Sequence, residues 1–507
     1  MRSSPLVFLL PLALACTSST DGDATPTATP AATPVATPAT ADQPARTARP
    51  WVPVPPVSGI HLQSLVATSG EGVERLLDGD PTTGWSPMHD PVDEGILLRF
   101  EKPTRVMQVK LQLCPESSSA TFESFVNGAS NTLVRINPGG PVLVPWRGGA
   151  DTPAIKSLFL RVVGSDGPVD ICEIAVIMPP EITQAVKPPR SVDATLKASS
   201  VLEPCDAYHP GYLFDGRTDF GWVEGAEGLG IGESLTIQFE GPIELTGFDL
   251  WNGYQRSADH FDRNARAAQL DLTVDGGPPM PLSVADSQGP QRLELPATVT
   301  GERFVLTVAQ ATAGSKYEDL VLSELRLRDA AGPFSLRTTD LAEREQQLLE
   351  TIKGSDLDRI VDRSWQGLCN ESTRFTLRSN HSFVSYAQIE DGPDDNLNEV
   401  FDGAWVVQDM TAPATIQTYG RKHRTQTTWV PYGDDQVQST VRIAGGKSQL
   451  WLHDPATPQP AATLLADPAF ASEHAYCMGP IDSWLGQDIG DLLVIQGAAM
   501  AGIYKPF

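Results

Sequence analysis

Carboxylates in two matching turns are the residues of this chain best placed to do chemistry. Leu76-Leu77-Asp78-Gly79-Asp80-Pro81-Thr82-Thr83-Gly84-Trp85 recurs as Leu213-Phe214-Asp215-Gly216-Arg217-Thr218-Asp219-Phe220-Gly221-Trp222. Each copy is followed by alternating apolar segments and a closing one with an internal Glu: Ile171-Cys172-Glu173-Ile174 and Leu322-Ser323-Glu324-Leu325. Asp-Gly, short polar residues and then Trp spell a tight turn that runs into a buried aromatic. Its Asp carboxylate and carbonyls can converge with the late Glu into an all-oxygen ligand set, as a hard cation such as Ca²⁺ requires. The same residues also read as plain Asx turns with a satisfied edge carboxylate, and both readings stay open. No Gly-x-Ser-x-Gly, His-Glu-x-x-His, P-loop or dinucleotide fingerprint occurs, and His381, His423, His453 and His474 have no zinc-like spacing.

The repeat also defines the elements that hold these turns. Asp78 and Asp215 lie 137 residues apart, too far for a solenoid unit and right for a whole domain. The expected architecture is therefore mainly β: two tandem all-β modules, residues 58–180 and 191–330, and a further domain at 336–507. Cys114 ends an early strand of the first module and Cys172 lies in its closing strand, a pair suited to a disulfide in an oxidising compartment. Cys369 and Cys477 bracket the last domain as a second pair. Cys205 is then left over, most simply as a free buried thiol, although sequence does not fix connectivity.

The chain opens with Met1-Arg2 and an apolar run to Ala15 that is too short to span a bilayer. It ends at Ala13-Leu14-Ala15-Cys16, which resembles a bacterial lipoprotein signal (residues 1–15) with Cys16 as the lipidated mature N-terminus. An ordinary secretory signal is the alternative. Thr17 after the cysteine resembles an outer-membrane or cell-surface destination. Residues 16–56 are rich in Ala, Thr and Pro, a composition that cannot offset the cost of ordering and stays extended. At ~3.1 Å per residue such a stalk reaches about 100 Å. A net charge of −26 argues against nucleic acid or anionic lipid as a partner, so a membrane is met only through the lipid anchor.

Within the second module, Trp222-Val223-Glu224-Gly225, Gly228-Leu229-Gly230-Ile231-Gly232-Glu233, Trp251-Asn252-Gly253-Tyr254, Asn264-Ala265-Arg266 and Gly314-Ser315-Lys316-Tyr317-Glu318-Asp319 occur in order. With Asp215-Gly216 and Ser323-Glu324-Leu325, they resemble the discoidin-like (coagulation factor V/VIII type C) glycan-binding domain, in the subtype named after the translocation domain of streptococcal NAD glycohydrolase. The resemblance implies a galactose-binding-like jelly roll with a ligand site in the loops at one end. It also implies a structural Ca²⁺ held in this copy by Asp215, Asp219 and Glu324, although Arg217 stands where the motif often has a second Asp. The first module resembles the generic fold more weakly. Its Asp78, Asp80, Thr83 and Glu173 follow the Ca²⁺ pattern better, and it lacks the Asn-Gly-Tyr loop of the sugar site.

Sugar recognition needs a flat apolar face for the C–H side of a ring and planar polar groups for its hydroxyls. Trp251, Tyr254 and Tyr317 are the expected faces; Glu224, Asn252, Arg266 and Lys316 are the expected hydrogen-bonding groups. All lie next to Gly or in expected loops; the alternative makes Trp222 and Trp251 core aromatics, as is expected for Trp222, and pairs Arg266 with an acidic neighbour. In the last domain, Asp340-Leu341-Ala342-Glu343 reads as a capping box opening a helix to Lys353, and Ser355 caps a shorter one toward Trp365. Strands then follow at Arg374–Arg378, Phe383–Ile389, Val400–Gln408, Thr415–Arg421, Thr427–Tyr432, Gln438–Ile443 and Gln449–His453. Hairpin turns are expected at Ser379-Asn380-His381 and Gly445-Gly446, giving a β-meander or small barrel. The expected function is a surface-anchored, non-catalytic carbohydrate-binding lipoprotein. The alternatives are a glycan-targeted hydrolase with catalysis in the last domain, or a protein-binding scaffold.

Overall fold

The computed structural model describes residues 59–87, 90–145, 154–368, 373–389, 397–411, 413–425, 442–453, 492–497 and 502–506, and the fold is mainly β. In the first module, the strand Ile60–Ala67 alternates buried and half-buried residues, the signature of a strand with one face on a core. It belongs to a six-stranded sheet in the order Ala129–Ile136, Ala120–Val126, Ile155–Ser165, Gly95–Thr104, Ile60–Ala67, Val186–Lys187. A three-stranded sheet of Val142–Val144, Gln108–Leu113 and Ile171–Ile177 shares one core with it, through Val109, Leu111 and Ile174 against Leu62, Phe100 and Leu160. The Cys114–Cys172 disulfide is present, its Cα atoms 5.0 Å apart.

The second module is built on two long bent strands, Ser234–Asn252 and Pro290–Thr312. They pair with each other antiparallel, with register breaks between Gln238 and Ile243 and between Leu245 and Gly247 that let both turn from one layer into the other. The repeated motif does the same work in both modules. Trp85 donates its indole N–H to the Ser69 carbonyl at 2.7 Å and Trp222 donates to the Ser200 carbonyl at 2.9 Å, and both rings are buried. The glycine before each Trp is pressed on the closing strand: a Cβ at Gly84 would lie 2.1 Å from the Ile171 carbonyl oxygen, and one at Gly221 2.5 Å from that of Leu322. The motif is thus a backbone-to-backbone weld between an early turn and the last strand.

The last domain opens with helices Asp340–Ile352 and Asp356–Ile360. Ser355 caps the second, its Oγ accepting the Leu357 N–H at 3.2 Å. The first starts from Thr339 without a side-chain cap, so the expected capping box is not made. Eight strands then run as a meander, Arg363–Gly367, Arg374–Leu377, Ser382–Ile389, Leu397–Asp409, Ala414–Thr425, Arg442–His453, Leu492–Gly497 and Gly502–Pro506. The last pairs with the first, Trp365 opposite Pro506, to close a barrel. Gly445 and Gly446 do not form the expected turn. They lie inside the strand Arg442–His453, opposite Tyr419 and Thr418, because their neighbours keep the ladder unbroken. The expected strand at Thr427–Tyr432 lies outside the described residues. Trp365, Phe375, Phe383, Trp405, Ile416 and Leu450 fill the interior together with Ile352 and Ile360 of the helices.

The barrel is docked on both sandwiches. Val66, Leu97, Phe125 and Phe159 of the first pack against Val384 and Val400. Beside them Arg378 donates to Glu94 at 2.7 Å and Arg374 to Asp93 at 2.9 Å, a buried ionic seam. Ala207, Tyr212 and Phe220 of the second sandwich pack against Ala404 of the barrel. Cys205 opens the short helix Cys205–Tyr208 at this junction and is not a free thiol: it is disulfide-bonded, to a partner outside the described residues. Cys16, Cys369 and Cys477 also lie outside the described residues.

Candidate functional site

In the first sandwich Asp78, Asp80, Thr83 and Glu173 do come together, on the surface. Asp78 accepts the Asp80 N–H through Oδ1 at 2.7 Å and the Thr83 hydroxyl through Oδ2 at 2.8 Å. Glu173 accepts the Gly79 N–H at 3.2 Å. The Thr82 hydroxyl holds Asp80 below the usual carboxylate range, whereas partial burial pushes Glu173 up.

The second turn is put to another use. Arg217 lies across it and grips Asp219 through two nitrogens, at 3.0 and 2.8 Å. Asp215 accepts the Arg217 N–H at 2.8 Å. A Cβ at Gly216 would lie 2.9 Å from Val66 and 3.0 Å from Ser64, so this turn is seated on the first sandwich. Arg99 from that sandwich acts electrostatically on both Asp215 and Glu324, and Arg326 pairs with Glu101 at 2.6 Å. Burial, then the Asp215 charge, holds Glu324 well above the usual range; burial also raises Asp215, with Arg217 opposing it. Guanidinium groups occupy the surroundings that a cation would need, and the residues of this copy do not fit a Ca²⁺ site. Among the described residues no group of three or more His, Cys, Asp or Glu side chains is arranged to hold a metal ion.

The expected sugar-site residues separate into two groups. Glu224 is fully buried and accepts the Leu320 and Ala226 N–H groups at 3.1 and 2.8 Å, tying two loops together. Trp251 lies in the strand Ser234–Asn252, not in a loop, buried between Pro290 and Glu324. The Asn252 amide bonds both the N–H and the carbonyl of Ala267, at 3.0 and 2.9 Å. Arg266 takes its alternative partner, gripping Asp286 at 2.5 and 3.0 Å while donating to the Phe261 and Asn264 carbonyls. The polar groups of Glu224, Asn252 and Arg266 are thus engaged within the fold. Lys316 rests its Nζ 4.7 Å over the Tyr317 ring.

Tyr254 and Tyr317, by contrast, line a cleft of about 490 Å³ between the loop end of the second sandwich and the barrel wall. Tyr208, Arg256, His260, Asn264 and Asp319 join them from the sandwich, and Gln417, Thr418 and Tyr419 from the barrel. The local chain explains the placement. Gly253, at φ +71°, turns the chain out of its strand. Ser323 then pins the loop, donating to the Gly253 carbonyl at 3.0 Å and accepting the Gln255 N–H at 2.9 Å. Ser257 caps the helix Ala258–Arg263 and its Oγ lies 2.7 Å from His260 Nδ1, fixing the imidazole. Tyr208 and Tyr419 meet edge to face, centroids 5.8 Å apart. Arg256 and Arg421 each donate to backbone of the other domain, to the Tyr419 and Arg256 carbonyls respectively. Burial, reinforced by the Arg256 charge, holds His260 well below its ordinary value, and burial raises Asp319. The cleft therefore offers tyrosine faces beside directed polar groups, the two things a sugar ring needs. Sequence reading reached Tyr254 and Tyr317 but missed Arg256, two residues along the same loop, and Tyr419, which another domain contributes.

Residues 189–328, the second sandwich, match the family model described as the NAD glycohydrolase translocation F5/8 type C domain. No match was found among curated proteins. Among solved structures, the CBM32-1 and CBM32-2 domains of Clostridium perfringens ZmpB are similar at 10% identity and a TM-score of 0.22, over 52% of this chain and 92% of theirs. The arabinofuranosyltransferase AftD from Mycobacteria is similar at 13% identity and a TM-score of 0.22, over 76% of this chain and 35% of its own. The family 32 module of C. perfringens NanJ, solved with galactose, is similar at 12% identity and a TM-score of 0.21, over 26% and 92%.

Proposed function

We propose that this chain binds carbohydrate, without catalysis, in the cleft between the second sandwich and the barrel. The observation that carries this reading is the wall of half-buried tyrosines, Tyr208, Tyr317 and Tyr419, set beside Arg256, Asn264 and Asp319. The family match over residues 189–328 supports it, because the domain that matches is the one that supplies most of the cleft. The barrel supports a binding role more than a hydrolytic one. Its interior is filled by aromatic and aliphatic side chains, and Asp402 is buried between Arg421 and His423, bonded to both. A glycan array probed with the full chain tests the proposal. Specific binding is expected, and Tyr317→Ala and Tyr419→Ala should each weaken it at least about tenfold with little change in stability. A blank array on folded protein, or binding indifferent to Tyr419→Ala, overturns the reading.

The proposal extends to display and to metal. We place the protein at the cell surface or outer membrane through lipid on Cys16, with residues 16–56 as the stalk. Mass spectrometry of the exported protein should find a diacyl- or triacylated Cys16. A structural Ca²⁺ is proposed only at the first acidic turn, where hydrogen bonds draw Asp78, Asp80 and Thr83 together and join Glu173 to Gly79.

A further inference from the structure

We infer that the ligand of this cleft is an acidic sugar, whose carboxylate is received by Arg256 and Tyr254. The inference rests on the carbohydrate reading and narrows it to a ligand class. Arg256 is only 2% exposed. Its Nε and Nη1 nevertheless reach only backbone carbonyls, of Asp219 at 2.5 Å and Tyr419 at 3.3 Å. Of the carboxylates nearby, Asp219 is taken by Arg217 and Asp402 by Arg421. Buried arginines elsewhere in the molecule are answered: Arg161 by Glu123, Arg190 by Asp329, Arg326 by Glu101 and Arg378 by Glu94. Besides those carbonyls the guanidinium meets aromatic faces, Phe220 at 5.2 Å among them; a buried guanidinium with no paired carboxylate is costly, and this one borders an open cleft.

Two donors are left over in the same place. Arg256 Nη2 and the Tyr254 hydroxyl are both buried without a hydrogen-bond partner, and the guanidinium carbon lies 4.7 Å from the centre of the Tyr254 ring. Burial pushes the Tyr254 hydroxyl up, so it stays protonated and can donate. With Nε and Nη1 engaged, Arg256 cannot offer the two-pronged grip it gives a carboxylate or a phosphate, so a second donor must come from elsewhere. One N–H donor and one O–H donor match the two oxygens of a singly charged carboxylate. Asp319 lines the same cleft; it would repel a carboxylate beside it and is assigned to the ring hydroxyls. His260, held neutral, adds no charge of its own to the receptor.

The test is titration calorimetry of the full chain with a panel of uronate- and N-acetylneuraminate-terminated oligosaccharides, each beside its carboxyl-reduced form. Sulfated and phosphorylated counterparts form separate arms. At least one carboxylate form should bind about tenfold or more tighter than its reduced form. Tyr254→Phe, which removes one donor and keeps the ring, should erase several-fold of that preference. Arg256→Gln should erase the rest, with its fold checked by circular dichroism; because Arg256 also braces two loops, the comparison of carboxylated and reduced ligands on the unaltered protein stands independently of that variant. Equal binding of both forms overturns the acidic-sugar inference and leaves the carbohydrate reading intact. Preference for sulfate or phosphate overturns the carboxylate assignment, and no binding of any sugar overturns both readings.

Discussion

The two copies of the Asp-Gly turn share a backbone and differ in almost everything that faces outward. In the first, the carboxylates lie on the surface and are satisfied by N–H and hydroxyl groups of their own turn. In the second, the turn is seated on the first sandwich, Arg217 covers Asp219, and Arg99 reaches across from the neighbouring module. What the copies hold in common is the weld: Gly and Trp against the closing strand. The comparison teaches that the repeat records how each module closes, while the acidic residues at its rim are free to become a surface feature or a joint.

The largest effect should come from breaking the shared part. Gly84→Ala and Gly221→Ala drive a methyl into the Ile171 or Leu322 carbonyl, and each should cost about 3 kcal/mol or more in denaturant unfolding. A mild effect in one copy alone would show that the weld is not common to both. Next, Arg217→Ala strips the partner from a buried Asp219 and should cost about 3 kcal/mol. The corresponding Asp80→Ala, on the surface, should stay within about 0.5 kcal/mol.

The second copy should also carry a pH dependence that its loops explain. His209, pushed down to about 4 by burial, and His260, held well below 6.5 for the same reason, bind a proton more readily unfolded than folded. Their contribution is present above pH 6.5 and is lost as pH falls below it, toward 4 for His209, at about 1.4 kcal/mol per pH unit for each imidazole. His209→Gln and His260→Gln should flatten the fall in thermal midpoint over that window; an unchanged slope would refute the assignment. The metal's effect is smaller than that of breaking the weld or the Arg217 pair. Ca²⁺ at tenfold above its Kd should stabilise the chain by about 1.4 kcal/mol, and Asp78→Ala should abolish the gain while Asp215→Ala leaves it. No gain with the unaltered protein would remove Ca²⁺ from the first turn too.

Much of the fold was legible because its signals are local. The repeat, the alternation of strands such as Ile60–Ala67 and the Cys114–Cys172 pair depend on residues that meet within one module. The barrel's helices and most of its strands were also visible, but Gly445-Gly446 misled, since a glycine pair inside a long ladder looks the same as a turn. The site was harder to read. Asn252 and Arg266 have the chemistry of ligand groups, yet their polar atoms are used to hold the backbone that shapes the loop. Only contact across domains distinguishes them from Arg256, and Tyr419 is silent until the barrel is placed beside the sandwich.

The barrel's seam gives the cleft a place in time. The strand Gly502–Pro506 completes the barrel by pairing with Arg363–Gly367, and joining segments so far apart in the chain carries a loop-closure cost that neighbouring hairpins do not meet. The sandwiches, whose strands pair within their own modules, can mature before that seam forms. Tyr419 joins the cleft only when the barrel is in place against the second sandwich. On the proposed reading, ligand capture is then a late event in the life of each molecule, and a half-made chain would hold the sandwich without its grip.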